Sequence, residues 1–168
     1  MRSPITTLSM LAVSAALAGA CNATKSGSSR SDLERIVTDN HLVAVAYRAE
    51  SKGQGACIHE MRTGEITSDD EAARCLMDSL TASGLEQSIE RFRSHVLAIG
   101  RGGSRDCRAA AGHLADAIAE EQRFIHATRE DLGRDDAAAF QRDGMRAGEA
   151  AAREADPSGA LLRACSKD

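Results

Sequence analysis

The chain has 168 residues and a formal net charge of −4, with 42% hydrophobic residues but only 2% aromatic ones. The acidic balance argues against nucleic acid as the general partner. Alanine is the commonest residue and there are two prolines, so strand runs rich in Val, Ile, Tyr and Thr are missing and a helical fold is expected.

Arg2 is the one charge in the first 24 residues, and the apolar stretch LSMLAVSAALA (8–18) follows it. Small residues then lead to Ala20. A short positive start, an apolar run and an A-x-A end mark a secretory signal peptide over 1–20. The run is too short for a permanent span, which needs about 20 apolar residues. The AGA before Cys21 suits an ordinary signal peptidase. The full string LAGAC (Leu17–Cys21) also resembles the lipobox of bacterial lipoproteins. It departs from the commonest form where Ala18 stands for the usual Leu. The resemblance implies cleavage before Cys21, a diacylglyceryl group on its thiol, acylation of the new N-terminus and a membrane contact through that lipid. Asn22 is not the Asp that retains lipoproteins in the inner membrane. In a Gram-negative cell this favours the outer membrane, facing the periplasm.

Cysteine parity points the same way. The chain has five cysteines, at positions 21, 57, 75, 107 and 165. Exported cysteines are expected to pair, and giving Cys21 to lipid leaves four for two disulfides. No C-x-x-C occurs, which argues against a zinc ribbon, and no C-x-x-C-H haem motif is present.

Residues 21–30 then read as the lipidated cysteine and a polar tether, and 31–168 as one domain. A first helix is expected at about 32–51, opened by SDLE (Ser31–Glu34) and ending near Gly53, with an irregular segment at 53–67. SDDE (Ser68–Glu71) has the spacing of a capping box and starts a helix that ends near Gly84. Leu85, Ile89, Phe92, Val96 and Ile99 stripe the third, which stops at GRGGS (100–104). The fourth carries Cys107, Ala111, Leu114, Ile118, Ile125 and Leu132 on one seam, with Gly133 as the expected C-cap. The fifth covers about 135–155, with Gly144, Gly148, Ala151 and Ala155 expected inward and Phe140 and Met145 as the bulky residues nearby. DPSG (Asp156–Gly159) makes a turn or caps a short last helix.

Short connections between long helices force antiparallel neighbours. The expected fold is therefore all-α, an up-down antiparallel bundle of four to five helices with two disulfides. The return of helix five brings Cys165 level with Cys107, which pairs those two and leaves Cys57 with Cys75.

Chemistry-bearing motifs are few. No histidine follows a Glu by three positions, and HEMR (59–62) lacks the second histidine of H-E-x-x-H. His113 with Asp116, and His126 with Glu130, read as solvated surface. G-x-S-x-G and the Lys-Ser/Thr of a Walker A loop are missing. Glu121 interrupts the apolar seam of helix four. The expectation is that the stripe rotates to Phe124 and spares it; the rival is an inward carboxylate in a pocket. GRGGSRDCR (100–108) is the densest basic patch. Arg101 and Arg105 there, and Ile58 and Met61 in the 57–66 segment, are the candidates for contact with a partner.

The expected function is a non-catalytic protein-binding module, with no metal and no cofactor. In format it resembles secretin pilotins and lipoprotein immunity proteins, without a shared motif. The alternative is a periplasmic ligand- or metal-binding bundle, or a hydrolase with an unmarked site.

Overall fold

A computed structural model describes residues 30–134 and 136–167. The signal segment, Cys21, almost all of the tether and Asp135 lie outside them. Six helices are described: α1 (Arg30–Thr63), α2 (Asp69–Ala82), α3 (Leu85–Gly102), α4 (Arg105–Gly133), α5 (Ala137–Arg153) and α6 (Ala155–Cys165). They make an all-α antiparallel bundle of four rods, because two rods are broken helices. Ser79 and Cys75 of α2 meet Glu50 and Cys57 of α1, while His95 of α3 meets Asp39. Thus α2 and α3 together run back along α1. Arg153 and Arg146 of α5 meet Glu120 and Phe124 of α4, and Cys165 of α6 meets Cys107. So α5 and α6 together run back along α4.

Each break has a local cause. Gly84 has φ +66°, a left-handed conformation that glycine adopts at no steric cost, and it ends α2 and starts α3. Pro157 sits in the first turn of α6. It has no N–H to donate to the Arg153 carbonyl four residues earlier, so the ladder breaks at Glu154.

α1 is longer than the sequence reading expects. It passes through Gly53 and Gly55 and takes in most of the segment read as irregular. Gly53 is needed there for packing. A Cβ at Gly53 would lie 2.1 Å from the Ser79 hydroxyl oxygen, so α2 crosses α1 at the glycine, and the tertiary contact outweighs its poor propensity. The helix stops at Gly64, with φ +81°. The Glu65 N–H donates to the Glu60 carbonyl, the bond of a Schellman cap. Ser68 then caps α2 with both bonds of the capping box to Glu71. Gly133 is the last residue of α4 and Arg134 takes the cap position.

The core is the stripe Leu85, Ile89, Phe92, Val96 and Ile99 of α3 against Ala111, Leu114, Ala115, Ile118 and Ile125 of α4, with Ile36, Val43 and Ala46 of α1, Leu80 and Leu161. α3 and α4 approach closely at Gly100, where a Cβ would lie 2.6 Å from the Ala111 Cβ. Neither backbone can yield cheaply. Gly100→Ala is expected to lower stability by about 1–3 kcal/mol. Gly102→Ala, with nothing within 4 Å of its Cβ, is expected to be neutral or slightly stabilising. Urea midpoints of the two variants decide this, and equal midpoints would refute the close approach.

α5 buries a different face from the expected one. Ala139, Asp143, Ala147 and Ala150 are buried, followed by Glu154 at the break, while Gly144, Gly148, Ala155 and Met145 are exposed. The helix is turned by one residue, so two carboxylates face inward.

Candidate functional site

The inward acids of the last rod meet partners from α4 and α1. Glu121 is 1% exposed and Glu154 is 6% exposed. The Tyr47 hydroxyl of α1 donates to Glu121 Oε1. Glu121 is therefore an inward carboxylate, and the expectation that the stripe spares it is overturned. Leu114, Ile118 and Ile125 hold the seam on both sides, and the register leaves position 121 no route to solvent.

Glu121 Oε2 and Glu154 Oε1 are buried and have no donor among the described residues. The two carboxyls are neighbours, so a proton held by one supplies the donor that the other's oxygen lacks. Burial first, and then the Glu121 bond and charge, push Glu154 up to about 10. Burial also raises Glu121. Glu50, one turn along α1 from Tyr47, is pushed up to about 7 by burial and accepts a 3.0 Å bond from Gln54. Burial, and next the Glu121 charge, raise the Tyr47 phenol. The cluster holds protons at neutral pH.

A second acid pair lies nearer the α4–α5 turn. Asp131 Oδ2 is buried without a donor. Its carboxyl is raised by burial first, then by the charges of neighbouring Asp143 and Asp136. Arg146 is 3.2 Å from the Asp143 carboxylate. Both pairs tie α5 to α4.

The surface hollows lie elsewhere. One, of about 110 Å³, is lined by Asp32, Arg35, His95, Ala98 and Ile99. His95 Nδ1 is hydrogen-bonded to buried Asp39. Among the described residues lining this hollow there is no hydroxyl or thiol for the His–Asp pair to activate. A second groove, between α3 and α4, is lined by Ile89, Ile125, Glu90, Gln122 and their neighbours. A 2.7 Å bond from Gln122 to Glu90 and a 2.8 Å bond from Arg129 to Glu86 brace the two helices beside it.

His126 turns to Glu86, at 3.8 Å, rather than to Glu130, which pairs with Arg134. His113 and Asp116 are both exposed. Among the described residues no three His, Cys, Asp or Glu side chains are grouped to hold a metal ion.

The four candidate contact residues divide between two ends. Arg101 and Arg105 are exposed at the α3–α4 turn, level with Arg35 of α1. Ile58 is half-buried and Met61 exposed near the far end of α1. From Arg35 to Met61 the helix is unbroken and rises about 39 Å at about 1.5 Å per residue. One compact interface cannot include both pairs. At the far end Cys57–Cys75 ties α1 to α2, and Cys107–Cys165 ties α4 to α6 at the near end.

A scan against protein-family models finds no match, and searches of curated proteins and of solved structures find no protein significantly similar to this chain. Among the described residues no helix is long and apolar enough to cross a membrane.

Proposed function

We propose that the protein is a small lipid-anchored lipoprotein of the periplasmic face of the outer membrane, and that it acts without catalysis by holding a protein partner. The observation that carries this reading is the stapled tip of the α1–α2 hairpin. There the Cys57–Cys75 disulfide fixes two helices beside an exposed Met61, with Ile58 and Ile66 half-buried nearby. A rigid tip loses little conformational entropy on binding, and apolar side chains at its surface supply the contact area. Such a module fits assembly or inhibition of a partner, in the manner of pilotins or immunity proteins. The alternative, a ligand- or metal-binding bundle, would use Glu121. That carboxylate is inward, but it accepts from Tyr47 and neighbours Glu154 rather than a histidine.

The test is a photo-crosslinker placed at Met61 and, as a control, at exposed Arg123. The expected result is one adduct of defined mass in cells from position 61 and none from 123. Failure to crosslink at 61, or equal labelling at both positions, would refute the tip as the binding surface.

A further inference from the structure

The near end of the bundle is basic, and it is the end from which the N-terminal segment departs. Arg101, Arg105 and Arg108 are exposed around the α3–α4 turn. The Cys107–Cys165 disulfide brings Arg163, in the last turn of α6, to the same level. Among the described residues none of these four arginines is ion-paired. The acids of α1 at this end already have partners: Glu34 pairs with Arg30 at 2.9 Å, and Asp32 lies 3.9 Å from Arg35. The far end has the opposite sign, with Glu60, Glu65, Asp69, Asp70 and Glu71 around the hairpin tip. α1 starts at Arg30 on the basic end, so eight residues join that end to Cys21 and reach at most about 30 Å.

We propose that the four-arginine end seats the bundle on an anionic phospholipid surface and holds the α1–α2 tip about 40 Å away from it. This rests on the lipid-anchor reading for the source of the membrane, but not for the charge contact itself. Each Arg near an anionic lipid surface multiplies partition by about fivefold, and the short tether keeps these four within reach of the headgroups. The acidic tip is repelled by the same surface, so the charge asymmetry sets the orientation. Arg101 and Arg105 then belong to the membrane face, and the protein partner is left to Ile58 and Met61.

The test uses the whole chain carrying Cys21→Ser, so that no lipid is attached to it. It is mixed with phosphatidylcholine vesicles, with and without phosphatidylglycerol, and sedimented. The expected result is binding to the anionic vesicles alone, reversed by salt. Arg101→Glu with Arg105→Glu is expected to lower it by about tenfold or more, with helical content and melting unchanged. Arg62→Glu with Arg74→Glu, exposed at the tip end, should leave binding within about twofold. Equal binding to neutral vesicles, no binding at all, or an equal loss from both double variants would overturn the proposal, the second result favouring an acidic protein on this end. Intact mass of the native protein tests the anchor separately. An unmodified Cys21 with anionic binding retained would refute the anchor and leave this surface standing.

Discussion

Raising the pH from about 5 to about 9 is expected to lower the melting temperature of this protein. The cause is the buried acid cluster of Tyr47 and Glu50 from α1, Glu121 from α4 and Glu154 from the α5–α6 break. In the folded protein Glu50 keeps its proton up to about 7 and Glu154 up to about 10, against 4.5 for an ordinary Glu. Between those values the folded state binds more protons than the unfolded chain, so the slope of stability with pH is negative. The stability these groups contribute is fully present below 4.5 and is lost as pH rises, through about 7 for Glu50 and on toward about 10 for Glu154. Glu50 alone accounts for on the order of 2–3 kcal/mol across its window. Glu154→Gln supplies a neutral amide donor to Glu121 where the acid needs a proton. It is therefore expected to flatten the slope and to raise the melting temperature above about pH 7, where the native pair must give up its proton. Thermal melts followed by circular dichroism across this range decide it. A midpoint that rises with pH, or a Glu154→Gln variant with an unchanged slope, would refute the shared proton.

Where a sequence signal depends on neighbouring residues of one helix, it is legible. The stripe Leu85–Ile99, the capping box Ser68–Glu71 and the breaks at Gly84 and at DPSG are local patterns, and the fold contains each of them. The course of α1 past Gly53 is not local. It depends on α2 crossing where no side chain stands, and glycine in a helix otherwise reads as an end. The face of α5 is illegible for a different reason. Positions 144, 148, 151 and 155 share the spacing of 143, 147, 150 and 154, shifted by one residue. Both rows are small or polar, so apolar periodicity cannot choose between them.

The same ambiguity hides the acid cluster. An inward Glu121 is improbable until Tyr47 and a protonated Glu154 stand beside it, and those partners come from helices 74 and 33 residues away. Tyr47 is the one tyrosine of the chain. A buried phenol needs an acceptor, and that requirement is the one signal that could have pointed to a polar partner within the core.

Replacing Cys107 and Cys165 with Ala is expected to cost more than any single change on the surface. The bond closes a separation of 58 residues, and the entropy it removes from the unfolded chain corresponds to about 4 kcal/mol. Cys57–Cys75 closes 18 residues, corresponding to about 3 kcal/mol. The effects should also differ in place. α5 holds to α4 through Ala139, Ala147 and Ala150, which bury little apolar area, and through the two carboxyl pairs. α6 adds Leu161. The α5 part of this rod meets α4 through small side chains, and the disulfide fixes the rod's C-terminal end at the near end of the bundle. Without it, α5 and α6 should open before α1, α3 and α4 do, as a sub-global unit. Amide hydrogen exchange over residues 139–163 should accelerate in the Cys107→Ala, Cys165→Ala variant, while Ile89–Val96 of α3 keeps the protection set by global unfolding. The Cys57→Ala, Cys75→Ala variant should speed exchange at 54–63 and 69–78 instead. Because ionisation of Glu154 loosens the same rod, the 107/165 variant should open further as pH rises through the window above. Uniform loss of protection across α3 and α5, or a pH-independent opening, would show that the rod does not move alone.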